Sequence, residues 1–128
     1  MTKFKKSRLL YTWAFTRRKT TAAIDITNSC NLKCSHCYIN ATSEKLDNEL
    51  STQEAKELMS QIYQVSRPLL ILSGGEPLLR KDLPECGKIL REHGFRWSIV
   101  TNGYGYTPEV HSRLLSAGMG AITLSLDG

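Results

Sequence analysis

The chain has 128 residues, 41% of them apolar and 23% charged, with a formal net charge of +5. This length allows one modest domain with a core, and the composition is ordinary for a globular protein. The apolar stretch at residues 9–15 falls short of the roughly 20 apolar residues that a bilayer span requires, so a membrane span is excluded.

The positive charge is concentrated at the N-terminus. Residues 1–20 carry seven of the 17 Lys and Arg residues and no acid, so the remaining ten basic residues nearly balance the 12 acidic ones. We therefore divide the chain into a basic N-terminal arm, residues 1–20, and a core domain, residues 21–128. Such an arm can attract nucleic acid or anionic lipid. No series of aromatic residues that could stack on bases is spaced through it, so we expect a solvated terminus, and nucleic acid is not an expected partner.

The apolar residues 9–15 are not interpreted as a signal peptide. Basic residues follow them at once, and there is no small-residue cleavage site. We predict instead a short strand or helix that packs against the domain. Without an export signal, the expected compartment is the cytoplasm, where thiols stay reduced. Clustered cysteines there favour metal or redox chemistry over disulfides.

The first predicted strand covers residues 22–27, where two isoleucines alternate with Asp25 and Thr27. This alternation indicates a strand with one apolar and one polar face. A cysteine-rich loop and a polar stretch follow. The capping-box pattern from Ser51 to Glu54 then predicts the start of the first helix, and apolar residues at helical spacing continue it.

The second predicted strand is the continuous apolar run at residues 69–72, a pattern that suits a parallel strand covered by helices. The second helix begins near Asp82, a favourable N-cap residue, and ends at Gly94. The remaining predicted elements are a strand at residues 97–100, a helix that begins at Thr107–Pro108 and ends at Gly118, and an alternating strand at residues 121–126.

Strands that alternate with helices indicate right-handed crossovers and a parallel sheet. The first and fourth strands place polar residues opposite their apolar ones, at Asp25, Thr27, Thr123 and Ser125. A sheet covered by helices on both faces would not favour this pattern, whereas a curved sheet around a polar cavity would. We therefore predict an α/β fold, a parallel-stranded partial (β/α) barrel of the TIM type that is truncated after the fourth strand.

The unusual motifs follow these strands directly, at residues 28–37, 73–77, 101–103 and 125–128. In a parallel sheet the carboxyl ends of all strands lie on one rim, which is where α/β proteins bind ligands. The four segments are therefore expected to meet at one site.

Three cysteines, Cys30, Cys34 and Cys37, fall within eight residues of the first of these segments. A structural zinc site would require four ligands. His36 is adjacent to Cys37 and cannot easily be the fourth, while Cys86 is predicted on the buried face of a helix. A [4Fe–4S] cluster normally takes four cysteines, one per iron, so three would leave one iron open to a non-protein ligand.

The spacing Cys-x-x-x-Cys-x-x-Cys at the end of a first strand resembles the signature of the radical S-adenosylmethionine (radical SAM) enzymes. Residues 30–38 are close to the form found in members that modify peptides or haem precursors. The segment at residues 74–77, Gly-Gly-Glu-Pro, is similar to the second motif of the family. Residues 101–103 and 125–128 are similar to weaker family patterns, so the resemblance covers about residues 22–128.

This resemblance implies that Cys30, Cys34 and Cys37 hold a [4Fe–4S] cluster and that S-adenosylmethionine (SAM) chelates the fourth iron. It implies reductive cleavage of SAM to a 5′-deoxyadenosyl radical that abstracts hydrogen from a peptide or tetrapyrrole substrate. An electron donor of the flavodoxin or ferredoxin type would then be a further partner. The cofactor would carry the difficult chemistry, while the protein would orient it and exclude water.

The resemblance also implies a set of residues that contact SAM: His36, Gly74, Gly75, Glu76, Pro77, Asn102 and Ser125. The two glycines lack Cβ, so the backbone there can approach a ligand closely. Glu76 would accept hydrogen bonds from the ammonium group of SAM, and Pro77 would fix the turn. At His36, where the family commonly has an aromatic residue, the contact with adenine would be made largely through the backbone.

Several of these residues also have simpler interpretations. His36 can be a surface imidazole, Asn102 can be part of a turn-forming Asn-Gly pair, and the Ser125 hydroxyl can bond to backbone. Lys33 is either a solvated loop charge or a group that tunes the cluster potential. Cys86 is expected to be a buried free thiol.

The usual core of this family has six strands, and this chain supplies four. We therefore expect a fragment, a truncated product, or a chain completed by a partner or a missing C-terminal segment. Two alternatives to an active enzyme follow. One is a catalytically inactive protein that binds the cluster and SAM, and the other is a structural zinc protein with a basic nucleic-acid arm.

Overall fold

The computed structural model describes residues 14–16, 19–65 and 67–126, with side chains from residue 21 onward except that of Val65. Most of the predicted basic arm lies outside the described residues, as do residues 9–13 of its apolar stretch and Asp127 and Gly128 at the other end. Among the described residues, no helix is both long and apolar enough to cross a membrane.

One sheet of five strands organises the described part of the chain, in the order β1-β2-β3-β4-β5. The strands are β1 (Ala14–Thr16), β2 (Lys19–Thr27), β3 (Leu69–Gly74), β4 (Trp97–Thr101) and β5 (Met119–Leu124). Strand β1 pairs with β2 in the antiparallel direction. Strands β2 to β5 are mutually parallel, as predicted for the four core strands.

The connections between the parallel strands are helices α1 (Thr52–Val65), α2 (Leu83–Glu92) and α3 (Pro108–Ser116), with a short 3-10 turn at Pro77–Leu79. The capping box of α1 is confirmed, because the Ser51 N–H and Oγ both donate to the Glu54 carboxylate, at 2.9 and 2.8 Å. Thr107 caps α3 by accepting from the Val110 N–H.

Asp82 occupies the N-cap position of α2, but its side chain makes no capping hydrogen bond. The carboxylate is instead paired with the Arg80 guanidinium, at 2.7 Å. Strand boundaries also differ from the prediction. Strand β5 begins at Met119 and ends at Leu124, so Ser125 lies just beyond it.

The core lies between the sheet and the helices. Trp97, Leu70, Leu72 and Ile99 are fully buried, and each such aliphatic side chain stabilises the fold by about 1.5–3 kcal/mol relative to exposure. Helix α2 packs directly on the Trp97 ring at Gly87, where a Cβ atom would lie 2.2 Å from the indole. Helix and sheet therefore meet at van der Waals distance at this point.

Strand β2 departs from regular pairing where it approaches the cysteine loop. The register with β3 shifts between Asp25 and Thr27, which marks a bulge. Ile26 still packs against the core, while Thr27 is buried and its hydroxyl donates to Glu49 at 2.9 Å. The predicted alternation is therefore confirmed at Ile24 and Ile26, and the bulge lies where the chain enters the cysteine loop.

Candidate functional site

The three loops that follow β2, β3 and β4 lie together at the carboxyl edge of the parallel sheet, as predicted. Direct backbone hydrogen bonds join the first two. The Gly75 N–H donates to Thr27 O at 2.8 Å, and the Glu76 N–H donates to Ser29 O at 2.7 Å. The cysteine loop and the Gly-Gly-Glu-Pro segment are therefore one structural unit.

The cysteine loop is closed at its base and turned at its far end. The Cys30 N–H donates to Thr42 O at 2.7 Å, and the Thr42 N–H returns a bond to Asn28 O at 3.0 Å. Within the loop, the Cys37 N–H donates to Cys34 O at 3.2 Å, and Asn40 takes a left-handed backbone conformation with φ of 51°. These bonds fix the path of the loop between its first and last cysteine.

The three loop cysteines are free thiols at the surface of the described structure. Cys34 is exposed, and Cys30 and Cys37 are half-buried. Backbone N–H groups point at two of the sulfurs, from Leu32 to Cys30 Sγ at 3.4 Å and from Ala41 to Cys37 Sγ at 3.5 Å. Hydrogen bonds of this kind stabilise thiolate ligands of an iron–sulfur cluster, so this donor set fits that group.

In the described ranges, no three His, Cys, Asp or Glu side chains are grouped so that they could hold one metal ion. A structural zinc ion requires that kind of grouping. A [4Fe–4S] cluster makes a different demand, because each cysteine binds a different iron.

Gly74 and Gly75 lie in close contact with the backbone of the cysteine-loop stem. A Cβ atom at Gly74 would lie 2.2 Å from Thr27 O, and one at Gly75 would lie 2.1 Å from Ser29 O. Gly74 also has a positive φ of 127°, a conformation that favours glycine. The missing Cβ atoms therefore let this segment pack against the stem of the cysteine loop. The expected approach to a ligand stays a prediction.

Glu76 is almost completely buried, with 1% of its surface exposed. Its Oε1 accepts from Thr101 Oγ1 at 2.7 Å and from the Leu78 N–H at 3.0 Å, and its Oε2 accepts from the Asn102 N–H at 2.8 Å. The carboxylate thus ties the β3 loop to the end of β4. Its expected bond to the SAM ammonium group stays a prediction.

Asn102 is brought next to the cysteine loop. Its Nδ2 donates to Asn31 Oδ1 at 2.8 Å and lies 4.0 Å from Cys30 Sγ, while its Oδ1 accepts from the Tyr104 N–H at 3.1 Å. The turn interpretation of Asn102-Gly103 is compatible with these contacts, since Gly103 has a φ of 82°. The two segments meet although 72 residues separate Cys30 from Asn102.

The other predicted site residues differ in their exposure. His36 and Lys33 are exposed in the cysteine loop, and Pro77 is buried at the start of the 3-10 turn. Ser125 is exposed, and its backbone N–H donates to Thr101 O at 2.9 Å, which continues the pairing of β5 with β4.

Cys86 stands apart from the loop cysteines. It is buried on α2, as predicted, and burial raises the pKa of its thiol to about 11, helped by the nearby Asp82 carboxylate. Its Sγ lies 3.8 Å from Asp82 Oδ2. A neutral thiol in this position belongs to the packing behind the rim.

Sequence reasoning missed Arg80, which lies behind the cysteine loop. Its side chain is 10% exposed and forms a bidentate pair with Asp82. The same guanidinium donates to Ile26 O at 2.7 Å and to Leu50 O at 2.8 Å. It therefore holds the bulged end of β2 and the start of α1. The only hint of this role in the sequence is the position of a basic residue shortly after the Gly-Gly-Glu-Pro segment.

Sequence reasoning also missed a contact that crosses the polar face of the sheet. Tyr38, which follows the third loop cysteine, donates its hydroxyl to Asp25 Oδ1 at 3.1 Å. Burial raises the pKa of Asp25 and also that of Tyr38, and the Asp25 carboxylate raises the Tyr38 pKa further. Ser73 is the register partner of Asp25 on the neighbouring strand β3. The end of the cysteine loop is thus anchored to the predicted polar face.

Comparison with known proteins gives a consistent result. Residues 24–128 match the radical SAM superfamily. The chain is 41% identical over 111 residues to the Fe-coproporphyrin III synthase of Methanosarcina barkeri, covering 87% of this chain and 28% of that protein. It is 32% identical over 104 residues to the mycofactocin maturase MftC of Mycolicibacterium smegmatis, covering 81% and 26%. The chain thus spans about a quarter of the length of these two curated relatives.

Solved structures agree on the fold. BtrN in complex with AdoMet and 2-DOIA matches with a TM-score of 0.66 and 25% identity, over 80% of this chain and 43% of that chain. Streptococcus suis SuiB bound to the precursor peptide SuiA matches with a TM-score of 0.64 and 21% identity, over 78% and 22%. The predicted partial parallel-stranded (β/α) barrel is thereby confirmed.

Proposed function

The chain belongs to the radical SAM superfamily, whose cofactors are a [4Fe–4S] cluster and S-adenosylmethionine, and from this premise we propose that it is the cofactor-binding part of a radical SAM enzyme. One observation carries the proposal. Three free cysteines at the family spacing lie in a loop whose stem is clamped by the Gly-Gly-Glu-Pro segment. When bound, the cofactors supply reductive cleavage of SAM and hydrogen abstraction from a substrate.

In this proposal each predicted site residue helps to hold one of the two cofactors. Cys30, Cys34 and Cys37 hold the cluster, and the rim residues His36, Gly74, Gly75, Glu76, Pro77, Asn102 and Ser125 form the side on which SAM binds. Buried backbone contacts between the two motif loops keep the three thiols in register with that side. These hydrogen bonds support the proposal, because productive sites are held to within a fraction of an ångström by the contacts around them.

We propose a tetrapyrrole as the substrate class. The support comes from relatives: Fe-coproporphyrin III, haem and pre-haem d1 synthases are 37–41% identical to this chain over 104–115 residues. A modified peptide is the second candidate, because the mycofactocin maturases are 32% identical. A low-potential donor of the flavodoxin or ferredoxin type would deliver the electron, and the reducing cytoplasm would suit the thiolates.

The test is anaerobic reconstitution of the protein with iron and sulfide, followed by iron analysis and absorption spectroscopy. We expect about four irons per chain and a spectrum that changes when SAM is added. Cys30→Ser, Cys34→Ser and Cys37→Ser should each lower the iron content. Cys86→Ser is the matched control and should retain the cluster, since Cys86 is buried on α2. Stoichiometric zinc without iron would refute the proposal and favour the structural zinc alternative.

A further inference from the structure

Two hydrogen bonds set the position of Asn102, one made by its backbone and one by its side-chain amide. Its backbone N–H donates to the buried Glu76 carboxylate at 2.8 Å, and its Oδ1 accepts from the Tyr104 N–H at 3.1 Å. Because a carbonyl oxygen must face the Tyr104 N–H, the amide can take only one of its two flipped orientations. The NH₂ end is therefore directed towards the cysteine loop.

The NH₂ group of Asn102 meets the loop at its first cysteine. One contact is the 2.8 Å hydrogen bond to Asn31 Oδ1, on the residue next to Cys30. The other is the 4.0 Å approach to Cys30 Sγ, which already accepts from the Leu32 N–H at 3.4 Å. Two N–H donors, one of backbone and one of side chain, thus face one sulfur. A thiolate attracts such donors more strongly than a neutral thiol does.

We propose that Asn102 is a positioning residue for Cys30, whose amide holds the first ligand of the cluster and raises the cluster's reduction potential. This inference rests on the proposed function, because it requires a cluster on Cys30. The direction follows from charge. Reduction adds an electron to the cluster and its sulfur ligands, and an N–H dipole aimed at a ligand sulfur favours the more negative state.

Glu76 acts through Asn102 in this arrangement. Its carboxylate is buried and accepts from both Thr101 Oγ1 and the Asn102 N–H, so it fixes where the β4 loop presents the amide. The Gly-Gly-Glu-Pro segment therefore supports the cysteine loop twice. It does so directly through the backbone bonds at Gly75 and Glu76, and indirectly through Asn102.

The test is a redox titration of the reconstituted protein, followed by electron paramagnetic resonance without SAM, so that a lost contact with SAM cannot cause a shift. Asn102→Ala removes the donor. We expect about a tenfold smaller equilibrium constant for one-electron reduction, which lowers the potential by about 59 mV. Asn102→Asp keeps an acceptor for the Tyr104 N–H but places a carboxylate beside Cys30, and it should lower the potential further.

The matched control is Gln64→Glu, the same amide-to-acid change on the exposed side of α1 near its C-terminal end, and its potential should equal that of the parent. Circular dichroism on each variant verifies the fold. If the parent holds a cluster and both Asn102 variants match its potential, the inference is wrong while the proposed function stands. If the parent assembles no cluster, both are wrong.

Discussion

Gly75→Ala tests whether the Gly-Gly-Glu-Pro segment supports the cysteine loop. The new Cβ would lie 2.1 Å from Ser29 O and 2.6 Å from the Ser29 carbonyl carbon, both backbone atoms. Cβ atoms essentially never come within 3.0 Å of another group, so the two loops must separate by about 1 Å. Because the new Cβ would meet only backbone atoms, no flexible side chain can move aside to relieve the clash.

The magnitude follows from what that separation disrupts. The hydrogen bonds from the Gly75 N–H to Thr27 O and from the Glu76 N–H to Ser29 O, now 2.8 and 2.7 Å, would exceed hydrogen-bonding distance. Each such bond contributes about 1 kcal/mol net, and overpacking a tight site costs about 1–3 kcal/mol. We expect the free energy of unfolding to fall by about 4 kcal/mol, a large part of the roughly 5–15 kcal/mol typical of a domain.

The assay is urea unfolding of the metal-free protein, followed by iron content after reconstitution. Gly105→Ala is the matched control, because a Cβ there would lie at an ordinary 3.7 Å from Leu78 Cβ. It should leave stability unchanged or raise it by up to about 1 kcal/mol. Equal unfolding curves and equal iron contents for the two variants would show that the close contact at Gly75 does not hold the loop.

Three further predictions concern the groups behind the rim. Arg80→Ala should lower the free energy of unfolding by about 3 kcal/mol, because the half-buried Asp82 carboxylate and the carbonyls of Ile26 and Leu50 lose the charged donor that they share. Urea unfolding measures this, and a loss below about 1 kcal/mol would contradict it. Arg80 lowers the pKa of Asp82 to about 2 from an ordinary 3.8, so its stabilisation is full above pH 4 and is lost as the pH falls towards 2; unfolding curves should show this loss in the parent and not in Asp82→Asn. Because its pKa is raised to about 11, Cys86 should be the last cysteine to react with iodoacetamide at pH 8. Exposed Cys34 should react readily. Mass spectrometry of the labelled peptides measures the order, and modification of Cys86 first would refute its buried position.

The sequence predicted the elements that local patterns specify. The strands and helices of the parallel sheet appear in the predicted order, because apolar periodicity and capping residues such as Ser51 and Thr107 act over a few positions. The meeting of the motif loops on one rim followed from the parallel sheet alone. The short β1 strand was expected only as a strand or a helix, because a short apolar stretch does not specify which strand it pairs with.

What the sequence did not predict depends on contacts between distant residues. Arg80 bonds the carbonyl of Ile26, 54 positions away, and Asn102 reaches Asn31, 71 positions away. No periodicity or spacing encodes such pairs. The glycines were expected to admit a ligand, and their nearest neighbours prove to be backbone atoms of the cysteine-loop stem. The partner of the Thr27 hydroxyl, Glu49, lies 22 positions away and was likewise not predicted.

The most direct measurement is mass-spectrometric detection of 5′-deoxyadenosine after the reconstituted protein is mixed anaerobically with SAM and dithionite. We predict that 5′-deoxyadenosine forms with the parent protein and with Cys86→Ser, and that it does not form with Cys34→Ser. A parent protein that holds the cluster and changes its spectrum with SAM, yet forms no 5′-deoxyadenosine, would contradict the proposed activity and identify the chain as an inactive cofactor-binding protein.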